Sequence, residues 1–296
     1  MDIRVLRYFL AIAREESISG AADFLHLTQP TLSRQIRELE EELGTTLLIR
    51  GSRNISLTES GILLRKRAEE IITLVNRTES EISKSENQLQ GNVYIGSAET
   101  EAIRTIAKIV KKLQMEYPLI QYHLFSGNAD SVKERLENGL LDFGILIEPS
   151  DFKKYDFLRL PTTDIWGLLM TKDNPLASKE VIHPKDLYEI PLLCSAQSMV
   201  SEVFTKWIGK NPDELNIVAT YNLLYNAAIM VEEGIGSALC LDRLVNTSGN
   251  NNLCFRPLFP TLEAHLDIVW KKYQVFSNPA KIMLEHIQTS LNSNSL

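Results

Sequence analysis

An α/β fold preceded by a small helical module is what the sequence predicts, and two observations support this expectation. From Val93 onward, short apolar runs alternate with amphipathic stretches, an order of strand, helix and strand that is typical of parallel α/β units. Residues 1–58 instead show three amphipathic stretches and two short apolar runs around a glycine-containing tip, which predicts three helices and a hairpin. Residues 59–90 form one long amphipathic stretch between these parts.

Length and composition narrow the class of protein. The 296 residues predict two or three domains, and 44% hydrophobic with 23% charged residues is typical of a soluble globular chain. No apolar run reaches the roughly 18 residues of a membrane span, and the N-terminus does not resemble a signal peptide, so we expect a cytoplasmic protein with no membrane partner. Three cysteines, far apart and odd in number, argue against a disulfide framework or a zinc site; a redox role for Cys194, Cys240 or Cys254 stays open.

The first module has the pattern of a helix-turn-helix. Predicted helices span Met1 to Glu16, Gly20 to His26 and Gln29 to Leu43. Thr28 and Pro30 are suited to starting the third helix, and Gly44 to ending it. Its apolar residues, among them Leu32 and Ile36, recur on one face, while its first turn is polar.

A polar first turn and an arginine-bearing hairpin together favour DNA binding. Gln can pair with adenine and Arg with guanine in the major groove, and Ser and Thr often contact phosphates. The candidate DNA-contacting residues are Gln29, Pro30, Thr31, Ser33, Arg34, Arg37, Arg50 and Arg53. A three-helix bundle without a DNA role would explain the apolar stripes but neither polar feature. Residues 1–90 carry 12 Lys and Arg against 14 Asp and Glu, a net charge of −2, so we expect modest non-specific binding.

The run SISGAADFLHLTQPTLSRQIRELEEELGTTLLIR, followed by LTESG, resembles the N-terminal signature of LysR-type transcriptional regulators. The match is ungapped, and one departure is Leu48, where the family usually has Phe. The resemblance implies a winged helix-turn-helix at residues 1–58, a linker and dimerisation helix at 59–90, and an effector-binding domain at 91–296. It further implies two α/β subdomains, like those of a type 2 periplasmic binding protein.

The long helix is predicted from Glu59 to about Leu89, with Thr58 as its cap. Its apolar positions follow a heptad seam of alternating four- and three-residue spacings. The seam positions are Leu64, Ala68, Ile71, Val75, Thr78, Ile82 and Leu89, with Ser85 filling the gap between the last two. A helix packed on its own chain would show the same pattern, but the length and the position between domains favour a dimer. The family resemblance implies the same dimer and its pairing into a tetramer.

The C-terminal region contains seven predicted strands. They are Val93 to Gly96, Ile120 to Phe125, Phe143 to Ile147, Ile165 to Thr171, Leu192 to Cys194, Ile217 to Thr220 and Leu266 to Trp270. Tyr117-Pro118 and the run Glu233 to Gly236 resemble the same family more weakly, and Leu241-Asp242 stand where the family usually has a proline. The resemblance implies subdomain I at 91–161 and 268–296 and subdomain II at 162–267, with crossovers near 161–164 and 265–268.

Two loops at predicted strand ends, together with single asparagines after two further strands, are candidates for an effector site. Ligands of open α/β sheets bind at the carboxyl ends of strands, beside helix N-termini. The candidate residues are Ser97, Ala98, Glu99, Thr100, Asn128, Ser195, Gln197, Ser198 and Asn222. Each could instead be an ordinary helix cap. Glu99 would disfavour an anionic effector unless a cation offsets it or it points to solvent.

No catalytic constellation is present. The five histidines lie in unrelated contexts, and there is no nucleophile elbow, phosphate loop or metal-spaced cluster. We therefore expect a transcriptional regulator without cofactors and without enzyme activity. Its partners would be promoter DNA, a small metabolite and, for an activator, RNA polymerase. The alternative is a solute-binding module with an N-terminal protein-interaction bundle.

Overall fold

The computed structural model describes residues 1–51, 54–82, 89–147, 153–195, 202–211, 214–249 and 251–293. The chain divides into two compact units, Met1–Ser85 and Glu86–Leu296. None of the described helices is long and apolar enough to cross a membrane.

The first unit is a three-helix module with a hairpin and a long helix. Its elements are α1 (Ile3–Glu15), α2 (Ile18–Phe24), α3 (Gln29–Leu43), β1 (Leu48–Arg50), β2 (Ile55–Leu57) and α4 (Glu59–Ile82). Ser17 caps α2 by accepting the Gly20 N–H, and Gly44 ends α3 in the left-handed conformation (φ 66°) that glycine adopts without strain. Thr28 precedes α3, but its hydroxyl meets that of Thr31 and caps no backbone group.

The predicted heptad seam of α4 is partly used within its own chain. Ala68 is fully buried and Leu64 packs against the core of the three-helix module, so the first half of the seam does not face outward. Three other apolar residues of α4, Ile62, Leu63 and Leu74, are exposed instead. The seam position Ile82 is exposed as well, and residues 83–88 lie outside the described residues.

The second unit is built on a nine-stranded sheet. Its strands are β3 (Gly91–Ser97), β4 (Ile120–Ser126), β5 (Phe143–Ile147), β6 (Tyr155–Thr171), β7 (Leu192–Ser195), β8 (Ile217–Tyr221), β9 (Ser237–Leu241), β10 (Leu253–Pro257) and β11 (Glu263–Lys271). Its helices are α5 (Ile103–Glu116), α6 (Ala129–Glu137), α7 (Glu202–Ile208), α8 (Leu224–Glu232) and α9 (Asn278–Ser293), with single 3-10 turns at Pro175–Ser178 and Pro184–Leu187.

Two groups of parallel strands form the halves of this sheet. In the first half β3 pairs in parallel with β4 and β5, and in the second half β7 pairs in parallel with β8 and β9. The 17-residue strand β6 joins the halves, because it pairs with β11 as far as Ile165 and with β9 from Trp166 onward. This change of partner lies just beyond the crossover expected at 161–164. Strand β10, which the sequence pattern does not predict, covers the second part of β6.

Each half has its own apolar core. In the first half α5 and α9 cover the sheet, and Ile106, Leu113 and Met283 are completely or almost completely buried there. In the second half Leu192 and Leu239 are fully buried among side chains from α7 and the 3-10 turns. The cores hold the strand ends of each half in place, so the loops that follow those ends have a rigid base.

Candidate DNA interface and effector cavity

The first turn of α3 presents polar side chains to solvent. Leu32 and Ile36 are fully buried on one face of the helix. On the other face, exposed or half-buried, lie Gln29, Pro30, Thr31, Ser33, Arg34 and Arg37. This amphipathic arrangement leaves a polar surface at the helix N-terminus, the part of a recognition helix that enters the major groove.

Three arginines give this surface its positive charge. Arg34 Nε lies 3.4 Å from Glu38 Oε1, but both side chains are exposed, so the pair is weak and its guanidinium remains open to a phosphate or a base. Arg37 has no ion-pair partner among the residues that the structure describes, and Arg50 is exposed at the end of β1. Arg53, predicted to lie at the hairpin tip, falls outside the described residues.

Glu40 positions the hairpin relative to α3. Its Oε1 atom accepts hydrogen bonds from the backbone N–H groups of Leu47 at 2.7 Å and Leu48 at 3.1 Å. Thr58 adds a second link, because its hydroxyl donates to the Thr46 carbonyl and accepts the Gly61 N–H. The hairpin is therefore attached both to the recognition helix and to the start of α4, a role of Glu40 that the sequence analysis did not identify.

A cavity of about 70 Å³ lies at the carboxyl ends of both groups of parallel strands. Residues that end six strands, or follow them within two positions, contribute to its wall: Ala98, Asn128, Ile147, Ser195, Asn222 and Leu241. The other lining residues are Glu99, Trp166, Tyr221, Leu224, Cys240 and Leu244. Strand ends of both halves meet there, which is the usual place of a ligand site in open α/β sheets.

Five of the nine predicted effector residues line this cavity, and two do not. Ser97 is buried and its hydroxyl donates to the Ala98 carbonyl at 2.6 Å, so it is turned away from the cavity. Thr100 is also buried, and its hydroxyl donates to the Asp164 carboxylate and not to the cavity. Gln197 and Ser198 lie outside the described residues.

Glu99 connects the two halves of the second unit. Its Oε2 atom accepts a hydrogen bond from the backbone N–H of Leu224, the first residue of α8. Glu99 follows β3 of the first half, and α8 belongs to the second half. A carboxylate at a helix N-terminus is stabilised by the unpaired N–H groups and the helix dipole. The chain thus supplies its own anion to this helix end.

The cavity wall also contains groups that the sequence analysis did not identify. Trp166 and Tyr221 provide aromatic rings, and both come from strands whose apolar runs favour a core role. The Tyr221 hydroxyl donates to the Leu239 carbonyl at 2.6 Å, and burial, then the nearby thiols, raise the pKa of Tyr221 well above its usual value. No sequence pattern distinguishes these side chains from ordinary core residues.

The three cysteines are buried thiols. Burial raises the pKa of Cys194 to about 12 and raises the pKa of Cys240, which lines the cavity, further still. Burial also raises the pKa of Cys254. A thiol with a raised pKa is a poor nucleophile, because the thiolate is the reactive form. Within the described part of the chain, no cluster of His, Cys, Asp or Glu is placed to hold a metal ion.

A second set of polar contacts lies where β6 passes between the halves. Asp164 is fully buried and accepts hydrogen bonds from Thr100 Oγ1 and, at 3.2 Å, from Arg243 Nη2. Asp242, the residue that departs from the family pattern, exchanges two hydrogen bonds of 2.9 Å with the backbone of Ile165. Burial, as the largest effect, raises the pKa of Asp164, although Thr100 and Arg243 act against it.

The geometry defines a class of protein. A helix-turn-helix with a hairpin occupies the first unit, and a cavity between two α/β halves occupies the second, as in a DNA-binding regulator that responds to a small molecule. Residues 3–62 match the family model of the bacterial regulatory helix-turn-helix protein, lysR family. Residues 86–292 match that of the LysR substrate binding domain. The chain belongs to the LysR family of transcriptional regulators.

Known proteins with similar sequence or structure are regulators. The HTH-type regulator YvbU of Bacillus subtilis (strain 168) is 27% identical over 96% of this chain and 97% of that protein. The DNA-binding transcriptional dual regulator OxyR of Escherichia coli (strain K12) is 32% identical over 63% of this chain and 61% of that protein. The crystal structure of the LysR family regulator CbnR matches with a TM-score of 0.76 and 20% identity, covering 98% of this chain and 99% of CbnR, and supports the fold alone.

Family membership confirms the predicted fold class and the predicted function. The chain is a DNA-binding transcriptional regulator with an effector-binding domain and is not an enzyme. The chain binds promoter DNA. Regulators of the LysR family act as multimers and bind small-molecule effectors rather than cofactors.

Proposed function

We propose that the first turn of α3 and the β1–β2 hairpin contact the promoter. The contacting residues are Gln29, Pro30, Thr31, Ser33, Arg34, Arg37, Arg50 and Arg53. The observation that carries the proposal is the exposed polar turn of α3 above a fully buried apolar face. The Glu40 hydrogen bonds support it, because they attach the hairpin to the same helix, near its C-terminal end.

A dimer formed through α4 would present two such surfaces to one promoter. The exposed side chains of Ile62, Leu63 and Leu74 support this proposal, because an apolar helix face of this kind is stabilised by burial against a partner. The net charge of −2 on residues 1–90 supports it as well, since binding cannot rest on a broad basic surface. Two half-sites read by one dimer add their binding energies.

The domain division that we propose follows the sequence analysis with one adjustment. Residues 1–58 read DNA, residues 59–90 link and dimerise, and residues 91–296 bind the effector. The halves of the last domain are best divided at Ile165/Trp166, where β6 changes partner from β11 to β9, and just before Glu263, where β11 begins. A cytoplasmic location and, for an activator, contact with RNA polymerase complete the proposal.

The effector is proposed to bind in the cavity and to change the angle between the halves. Ala98, Glu99, Asn128, Ser195 and Asn222 are the predicted residues that line it. A ligand shifts the equilibrium only if it binds one arrangement of the halves more tightly than another. The link from Glu99 to Leu224 supports this mechanism, because a ligand that competes for Glu99 changes how the halves are joined.

Peroxide sensing by a cysteine is a second candidate, because several relatives are named hydrogen peroxide-inducible genes activators. Burial of all three thiols and their raised pKa values favour a non-covalent effector over thiol oxidation in this chain.

The DNA proposal is tested with Arg34→Ala and fluorescence anisotropy. We expect the variant to bind the region upstream of its own gene about 5- to 100-fold more weakly, the loss typical of one base-reading arginine. Arg65→Ala removes the same charge from the exposed face of α4 and should bind like the wild type. Equal affinity of wild type and Arg34→Ala for this DNA and for scrambled DNA would refute the assignment.

A further inference from the structure

The cavity has an unusual balance of charge. Among the described residues that line it, Glu99 is the sole side chain that is charged at neutral pH, and no Lys, Arg or His is present. Tyr221 and Cys240 stay neutral, because burial raises the pKa of each. A carboxylate ligand would therefore meet one negative charge and no positive side chain.

The N-terminus of α8, beside the cavity, already donates to the Glu99 carboxylate. Glu99 Oε2 accepts the Leu224 N–H at the start of α8, where an anionic ligand would otherwise find backbone donors. The other oxygen, Glu99 Oε1, has no hydrogen-bond donor among the described residues. A carboxylate oxygen at a cavity wall is best satisfied by a charged donor, because charge-assisted hydrogen bonds are about twice as strong as neutral ones.

The remaining walls suit the body of a cation. Trp166 and Tyr221 supply two aromatic rings, whose faces attract a positive charge. Ile147 and Leu244 add apolar surface, and Asn222 adds a neutral polar group. A carboxylate and aromatic rings in one cavity wall favour organic ammonium ions over carboxylates of similar size.

We propose that the cavity takes a small ligand with a protonated amine, and that Glu99 is its counter-ion. The inference rests on the proposed effector function. The cavity is small, about 70 Å³, which favours a ligand of few atoms. The ammonium group donates to Glu99 Oε1 and competes with the Leu224 N–H for the same carboxylate, which weakens the link between the halves.

The test compares ligands of opposite charge on the full-length protein. Isothermal titration calorimetry is performed with butylammonium and benzylammonium chloride, and with sodium butyrate and benzoate at equal ionic strength. We expect at least one ammonium ion to bind at least tenfold more tightly than the carboxylate of the same type. Tighter binding of a carboxylate, or no binding of either ammonium ion, would overturn the inference.

Two variants test whether the ammonium ion binds at Glu99. Glu99→Gln keeps an acceptor for the Leu224 N–H but removes the charge, and we expect it to weaken ammonium binding at least tenfold. Glu101→Gln makes the same charge change two residues away, on a carboxylate that pairs with Arg104 and does not line the cavity, and should bind like the wild type. Undiminished ammonium binding by Glu99→Gln would refute the role of Glu99.

DNA-binding anisotropy with the same probes separates this inference from the effector function on which it rests. If an ammonium ion binds through Glu99 but leaves DNA affinity unchanged, the ligand class stands and the proposed regulation fails. If a carboxylate changes DNA affinity instead, the regulation stands and the ligand class fails.

Discussion

Removing the Arg243 guanidinium should destabilise the second unit, because the buried Asp164 carboxylate then has no cationic partner. Asp164 is fully buried on β6, and Arg243, which follows β9, is its cationic partner. Arg243 Nη2 also donates to the Thr163 carbonyl at 3.2 Å. In Arg243→Ala the Asp164 carboxylate keeps the Thr100 hydrogen bond but loses its neutralising charge.

The size of the effect follows from the burial of the two partners. Breaking a fully buried ion pair costs about 3–5 kcal/mol, whereas an exposed pair contributes about 0–1 kcal/mol. The Asp164 side chain is 0% exposed and that of Arg243 is 49% exposed, so solvent partly screens the pair. We expect Arg243→Ala to lower the free energy of unfolding by about 1–3 kcal/mol, the cost of a lost hydrogen bond to a buried charge.

The loss of unfolding free energy in Arg243→Ala should grow as the pH rises. Burial raises the native pKa of Asp164 above its unfolded value of 3.8, and Arg243 acts against this rise. The native state then binds the proton more tightly than the unfolded state, so stability falls as pH increases from 3.8 through the native pKa. Without Arg243 the native pKa rises further. The difference between variant and wild type therefore widens as the pH rises through the wild-type native pKa of Asp164, above 3.8, and levels off once Asp164 is ionised in both.

Urea denaturation followed by tryptophan fluorescence measures this difference. Trp166, Trp207 and Trp270 all lie in the second unit, so the signal reports on that unit alone. Arg104→Ala serves as the control, because its exposed pair with Glu101 should leave stability little changed. Equal unfolding free energies for Arg243→Ala and wild type at pH 8, or a difference that shrinks as pH rises, would refute the reasoning.

Two further predictions concern close packing and thiol chemistry. Gly61→Ala should destabilise the first unit by about 1–3 kcal/mol in calorimetry, because the new Cβ would lie 2.2 Å from the Leu47 carbonyl oxygen. Gly20→Ala, whose Cβ would meet nothing closer than 3.5 Å, should be neutral or stabilising, and a reversed order would contradict this packing argument. The three buried thiols should resist Ellman's reagent in the native protein at pH 8 and react once it is denatured in guanidinium, because burial raises their pKa values; rapid native labelling would disprove this.

Much of the first unit is predictable because its determinants are local. The start of α3 at Gln29 and its end at Gly44 follow from a proline, a glycine and a spacing of three to four residues. The hairpin follows from two short apolar runs around a turn. The exposed face of α4 does not follow from the sequence, because a heptad pattern cannot show which of its apolar residues pack on their own chain. Leu64 packs inward and Leu63 faces solvent for reasons of tertiary contact.

The second unit depends more on contacts between residues far apart in the chain. Most of the order of strands and helices is predictable from alternating patterns, but β9, β10 and the full length of β6 are not, because strand pairing joins residues far apart in sequence. Ser97 and Thr100 have the composition of a ligand loop, and yet their hydroxyls are used by neighbouring groups.

The sequence by itself determined the family, the recognition helix and the strand ends that can form an effector site, because these depend on residue type and short spacing. The tertiary structure alone decided which side chains face the cavity. Glu99 meets the N–H of Leu224, a residue 125 positions away, and Asp164 meets Arg243 across the crossover. Contacts of this kind arise where β6 joins the two halves of the sheet, and no local pattern encodes them.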